Sequence, residues 1–107
     1  MTDNLPPLTH LQFAILNVIG ASSISGKELR KSLAQEHGVK KSGPAFYQLM
    51  ARLEEAKFVE GWYEQEIIEG QIIKERNYKI TGKGISAMNR TKSFYRAAGG
   101  QISPAYS

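Results

Sequence analysis

SGPAFYQLMARLEEA, Ser42 to Ala56, is the stretch whose reading decides the fold. Phe46, Leu49, Met50 and Leu53 recur at helical spacing and make one apolar stripe, while Pro44, Tyr47, Gln48, Ala51 and Arg52 fall on the other side. Ser42 is a natural N-cap, Pro44 loses no hydrogen bond in the first turn, and Gly43 permits close approach to the backbone. The stretch is therefore an amphipathic helix with one face for a core and one left free. Its first amides, preceded by Lys40 and Lys41, suit a phosphate, with Ser42, Gly43 and Ala45 at the point of approach. Further along, the planar forks of Gln48 and Arg52 match the edges of adenine and guanine.

Upstream, Ser25 and Glu28 have capping-box spacing, with Ile24 and Leu29 spaced as a hydrophobic staple. The helix they open carries Leu29, Leu33 and Ala34 inward and Lys27, Arg30 and Lys31 outward, and stops near His37-Gly38. Val39-Lys40-Lys41 is then a short turn with Val39 as its buried anchor. An earlier helix opens with the box Thr9/Gln12 and the staple Leu8/Phe13, runs to about Ile19, and has hardly any polar face. Such a helix is covered either by the C-terminal helix or by a partner subunit. Gly20 ends it, and Ala21 to Ile24 form a short strand or turn.

Downstream of Ala56 the period changes, and two strand-like runs, Phe58 to Ile68 and Gln71 to Ile80, flank Glu69-Gly70. They form a β-hairpin. A two-residue loop sets Glu64 opposite Glu75, whereas a three-residue loop ending at Gly70 sets Glu64 opposite Lys74 and Trp62 opposite Arg76; cross-strand charge pairing favours the second. Trp62, Tyr63 and Tyr78 are cross-strand packing residues or the lining of a ligand slot between subunits. Thr81 caps a last helix, with Ile80 and Ile85 as its staple and Ile85, Met88 and Tyr95 near one stripe with Thr91 beside it, fraying around Ala97. Three helices followed by a hairpin describe an α+β, mostly α domain: a winged helix-turn-helix with a three-helix core, a two-stranded β wing and one C-terminal helix. It spans residues 1–98, and residues 99–107, which lack periodicity, form a flexible tail.

Composition agrees with one soluble domain: 107 residues, 41% hydrophobic and 22% charged. The N-terminus has no signal-peptide pattern, and the longest apolar run, Phe13 to Leu16, is far too short to span a bilayer, so a cytoplasmic location is expected. With no cysteine there are no disulfides or thiolate sites, and His10 and His37 have no carboxylate at ligand spacing, so no metal is expected. No nucleophile, acid–base pair or cofactor motif is present, which argues against an enzyme. The net charge of +4 is mild but segregated: Lys27, Arg30, Lys31, Lys40, Lys41 and Arg52 dominate the helical part, while Glu54 to Glu75 holds seven acids against Lys57 and Lys74. The acids of the hairpin repel phosphate unless Lys74, Arg76 and Lys79 face the DNA, and a tip contact from Gln71 or Lys74 is the simplest one.

With these residues in hand, the chain resembles the PadR-like transcriptional regulators. The similarity lies in LTHLQFAIL (Leu8 to Leu16), SGKEL (Ser25 to Leu29), FYQLMARLEEAKFVE (Phe46 to Glu60) and YKITGKG (Tyr78 to Gly84), and covers roughly Leu8 to Met88. Departures are Lys27 where the family has tyrosine, Gln48 where it has proline after the recognition-helix tyrosine, and Lys57 where it has glycine. The resemblance implies a homodimer that binds operator DNA, usually to repress, and some members respond to small aromatic or cationic ligands. Met88 to Ser107 has no room for the family's long C-terminal dimerisation domain. The chain is thus similar to the short members, whose dimer uses the first and last helices, here through Leu11, Phe13, Ile15, Met88 and Tyr95.

The expected function is sequence-specific binding of a pseudo-palindromic operator. Lys27, Lys31, Lys40 and Lys41 neutralise phosphates, Ser42, Gly43, Ala45, Gln48 and Arg52 face the major groove, Tyr47 stands at the helix edge, and Gln71, Lys74 and Arg76 reach from the wing. The alternative is a winged helix that binds a protein and no DNA. A small-molecule effector is compatible with the family but has no marker among these residues.

Overall fold

The computed structural model describes residues 7–97. The elements run α1 (His10–Ile19), β1 (Ile24–Ser25), α2 (Gly26–His37), α3 (Gly43–Glu55), β2 (Val59–Ile68), β3 (Gln71–Ile80) and α4 (Gly82–Ala97). The expected tail lies outside the described residues.

Local signals fix most of the boundaries. Thr9 and Gln12 form the reciprocal capping box, with Gln12 N–H donating to Thr9 Oγ1 at 3.1 Å and Thr9 N–H to Gln12 Oε1 at 2.9 Å. At Ser25 only half of the box is made: Glu28 N–H donates to Ser25 Oγ at 3.1 Å, and Ser25 is itself a strand residue paired with Asn77. Gly38 closes α2 in the left-handed conformation, φ 67°. After α3 the same conformation falls on Lys57, φ 68°, with Lys57 N–H donating to Glu54 O and Phe58 N–H to Leu53 O. This left-handed site is where the resembling family has glycine, and a side chain there is strained.

One core joins the three helices to the base of the hairpin. Leu16, Leu29, Phe46, Met50, Leu53, Val59 and Tyr78 are all essentially out of water, and Leu49 packs on them partly buried. The sheet is three-stranded and antiparallel in the order β1-β3-β2, so the wing has a short third strand at its base that the hairpin alone did not announce.

Three sequence expectations need correction. The hairpin has the two-residue loop, pairing Ile68 with Gln71 and Glu64 with Glu75. Glu69 and Gly70 both have positive φ, 52° and 81°, as a type I′ turn requires, and its twist matches the strands better than a longer loop. Tyr78 enters the core opposite Gly61, which the other register would forbid, and these preferences outweigh a cross-strand ion pair worth only a fraction of a kcal/mol, about 0.2–1. In α4 the inward stripe is Gly84, Ala87 and Thr91, with Met88 and Tyr95 half-buried, while Ile85 is 52% exposed and lies off that stripe. Gly84 sets that rotation, because a Cβ there would overlap the Phe58 carbonyl oxygen. Finally, Ile15 is fully buried in the chain's own core and is therefore no part of a surface for a second subunit.

α4 is tied to the start of α1 by its buried threonine. Leu8 N–H donates to Thr91 Oγ1 at 2.8 Å, and that hydroxyl donates to Ala87 O at 2.8 Å. Its own start is held by Thr81, whose hydroxyl donates to Lys57 O at 2.6 Å and accepts from Gly84 N–H at 3.0 Å.

Candidate nucleic-acid interface

The free face of α3 lies where its spacing put it. Pro44, Ala45, Gln48, Ala51 and Arg52 are exposed, Tyr47 is 40% exposed, and Phe46, Met50 and Leu53 are buried beneath them. Ser42 caps the helix, its hydroxyl accepting from Ala45 N–H at 3.3 Å. Lys27, Lys31, Lys40, Lys41 and Ser42 are exposed, and Gly43 is half-exposed.

Tyr47 owes its position to Gly26. A Cβ on Gly26 would stand 2.7 Å from the Tyr47 hydroxyl oxygen, so the ring lies across the start of α2 as well as edge-on to Phe46 at 5.0 Å. Packing there holds the hydroxyl against Gly26 at the start of α2 while the residue as a whole stays 40% exposed.

Arg30 is a participant that the sequence reading left among the outward cations of α2. Its Nε donates to Lys41 O at 2.9 Å, and one terminal nitrogen lies 3.8 Å from where a Gly43 Cβ would be. It therefore clamps the turn and brings a guanidinium to the N-terminus of α3, adding to the positive helix end. Its place one helical turn beyond Lys27 on the same face was the available signal.

The wing completes the surface through its register. Tyr63, Gln65 and Ile67 of β2 pair with Arg76, Lys74 and Ile72 of β3, all on the face continuous with core residues Val59 and Tyr78. Glu60, Glu64 and Glu66 pair with Lys79, Glu75 and Ile73 on the opposite face. The alternation thus separates the wing's charges, turning Lys74 and Arg76 towards the helices and three glutamates away. Lys79 goes with the acids and stands 3.8 Å from Glu60. Trp62 and Tyr63 leave opposite faces and Tyr78 is buried, so the three do not line a common slot.

Lys27 and Arg30 of α2, Tyr47 of α3, and Ile73, Lys74, Glu75 and Arg76 of β3 line one open cleft of about 330 Å³. Gln71 stands apart at the tip of the wing. Arg76 is already engaged: Nη2 lies 2.6 Å from Glu54 Oε1, and its guanidinium sits over the rings of Tyr63 and Tyr78 at 4.7 and 5.8 Å. Burial works against the Arg76 charge and the Glu54 carboxylate more than offsets it, raising its pKa. Burial also pushes the Tyr78 hydroxyl from 10.0 up to about 12, with Arg76 acting the other way. Gly61 leaves the room for this contact, since a Cβ there would come within 2.9 Å of both Arg76 Nη2 and Glu54 Oε1. The pair braces the wing against the last turn of α3, and Lys74, 5.4 Å above the Tyr63 ring, is the wing cation with no ion pair among the described residues.

A second concavity of about 740 Å³ is lined by apolar Leu11, Phe13, Ala14, Val39 and Tyr95 together with His37, Lys41 and Lys92. Leu11, Phe13 and Tyr95 of the expected dimer set meet there. No helix among the described residues is long and apolar enough to cross a membrane.

The chain matches no family model and no curated protein. Solved structures do match. A PadR family transcription regulator from hypervirulent Clostridium difficile R20291 superposes with a TM-score of 0.68 at 18% identity, over 84% of this chain and 91% of that one. A PadR-like transcriptional regulator from Bacillus cereus strain ATCC 14579 gives 0.66 at 25% identity, over 82% of each chain. Bacillus subtilis PadR in complex with operator DNA gives 0.61 at 20% identity, over 79% of this chain and 47% of that one. The chain has the winged-helix fold of the PadR-family transcription regulators.

Proposed function

We propose that the chain is a sequence-specific DNA-binding transcriptional regulator that works in the cytoplasm as a homodimer and represses from a pseudo-palindromic operator. The observation that carries this reading is the cleft in which α2, α3 and β3 bring Lys27, Arg30, Lys74 and Tyr47 around the exposed face of the third helix. Lys31, Lys40 and Lys41 extend the positive surface to the start of that helix. Ser42, Gly43 and Ala45 allow backbone approach to a phosphate, and Gln48 and Arg52 read base edges in the major groove. Lys74 and Gln71 contact the DNA from the wing, while Arg76 holds the wing in place. That the neighbour from Bacillus subtilis is seen with operator DNA supports the assignment.

The dimer forms through α1 and α4. Leu11, Phe13 and Tyr95 border an apolar groove that one chain leaves open, and Met88 of α4 is half-buried against the core. Two copies joined there present two recognition helices to half-sites about one helical turn apart.

Selection of bound sequences from a random DNA pool, followed by titration of the selected site, tests the reading. Arg52→Ala is expected to cost about 1–3 kcal/mol and to relax a single base position, while Lys41→Ala weakens all sequences and flattens the salt dependence by about one. Equal loss on selected and random DNA for Arg52→Ala removes its role in readout. Absence of binding at low salt leaves the protein-interaction alternative.

A further inference from the structure

The wing has a second face, whose β2 side chains alternate away from the helices. From Val59 to Gly70 the chain carries Glu60, Glu64, Glu66 and Glu69 and no lysine or arginine. The register sets Glu64 directly opposite Glu75, a like-charge pair that weakens a hairpin unless a cation arrives from elsewhere. Trp62 donates its indole N–H to Glu64 Oε2 at 3.1 Å, which orients that carboxylate without neutralising it. Towards the tip, Ile68 and Ile73 share the acidic face and are 49% and 38% exposed. Phosphate is repelled by such a surface, so its occupant is cationic and partly apolar.

The chain itself carries a surface of that description. α4 holds Lys83, Arg90, Lys92 and Arg96 with no acid among them, and exposes Ile85 and Phe94. Lys83, Arg90 and Phe94 follow one another at i, i+7 and i+11 along the side turned away from Ile85 and Lys92, and so away from the α1 groove. No ion pair joins these cations to a carboxylate among the described residues, and Arg90 Nε is buried without an acceptor. Within its own chain α4 packs on α1 and β3; Lys83 lies 5.5 Å from the Phe58 ring and Arg90 is half-buried, while Lys83 and Phe94 remain exposed at the surface.

We propose that the acidic, isoleucine-tipped face of the wing docks on α4 of a second copy, its glutamates against Lys83 and Arg90 and Ile68 against Phe94. The contact is heterologous, so each copy offers both halves and successive dimers can be linked while the other wing face stays on DNA. Ile73 and Glu75 also border the basic cleft, so Glu64, Glu66 and Ile68 of β2 carry the contact, clear of both the cleft and the α1 groove, and its failure leaves the proposed dimer and the proposed DNA contact standing.

Sedimentation velocity of the full chain without DNA, across concentration and salt, tests it. The expected result is a species heavier than the dimer at low salt that grows with concentration and dissolves at high salt. Glu64→Lys combined with Glu66→Lys abolishes it, and so does Lys83→Glu combined with Arg90→Glu, with circular dichroism confirming that each remains folded. An equimolar mixture of the two folded variants restores it, because each supplies one reversed half. Phe94→Ser, fully compatible with its exposed position, serves if the α4 reversal does not fold, and is expected to shift the association to higher concentration. A uniform species across all conditions overturns the proposal, as does a heavy species that the wing reversal leaves unchanged. Failure of the mixture to restore it overturns α4 as the partner surface.

Discussion

Replacing Glu54 by alanine separates two ways in which the last turn of α3 can affect DNA binding. If long-range electrostatics alone governed affinity, deleting a carboxylate beside the basic cleft would tighten binding. The geometry demands the opposite, because Glu54 holds Arg76 at 2.6 Å and through it the wing. The two side chains are 26% and 24% exposed, between a surface pair worth about 0–1 kcal/mol and a buried one whose breakage costs about 3–5. A coupling of about 1–2 kcal/mol follows, and the stacking of Arg76 on Tyr63 adds about 0.5–1. Glu54→Ala should therefore destabilise the fold by about 1–2 kcal/mol and Arg76→Ala by about 1.5–3, with the double variant little worse than Arg76→Ala. For a domain of this size each kcal/mol lowers Tm by about 4–8 °C, which thermal denaturation resolves easily. Operator titration of Glu54→Ala at fixed salt should show weaker binding despite the lost negative charge. Additive effects in the cycle, or tighter DNA binding by Glu54→Ala, would refute the brace.

Gly84→Ala forces a methyl group onto the Phe58 carbonyl oxygen, which is rigid backbone, and should cost at least about 1–3 kcal/mol in urea denaturation, with α4 losing its seat. Lys57→Gly relieves a left-handed side chain and should stabilise the fold by about 1 kcal/mol, read as a higher denaturation midpoint with unchanged slope. Tyr78 is pushed up to about 12 by burial and its hydroxyl keeps its proton longer in the folded chain than in the unfolded one. Its contribution is complete below the unfolded value of 10.0 and is lost as pH rises towards about 12, with a slope of up to about 1.4 kcal/mol per pH unit. Denaturation measured between those values should show the slope in the parent and its loss in Tyr78→Phe; a pH-independent parent would contradict it.

The helical half was legible because its information is local. Capping residues lie three positions from their partners, and the stripe of Phe46, Met50 and Leu53 needs only the helical period. The hairpin's existence is equally plain, but its register is not, because charge pairing between Glu64 and Lys74 favours one register while turn geometry and the core favour the other. Placing Tyr78 in the core fixes the parity of β3, and Arg76 and Lys74 then share its face with no further assumption. The rotation of α4 depended on one close approach, Gly84 to Phe58, that no hydrophobic period encodes. Apolarity drew attention to Ile85 for that reason, although it stands in water. Ile15 misled similarly: an α1 apolar on nearly every side has some residues for its own core and others, Leu11 and Phe13, left for the groove.

The strict alternation of the wing has a further consequence. Its upper half owes its orientation to Tyr78, which anchors the lower half. One residue added or removed between Arg76 and Tyr78 would turn over the alternation of the outer part of β3, taking Lys74 and Arg76 off the helix side and bringing Glu75 there, while β2 keeps its facing. Substitutions there change the strength of the wing's field by single charges, whereas a change of length inverts its sign. For this segment an indel of one is a more drastic event than most replacements, and relatives that vary in loop length should do so in pairs or beyond the tip.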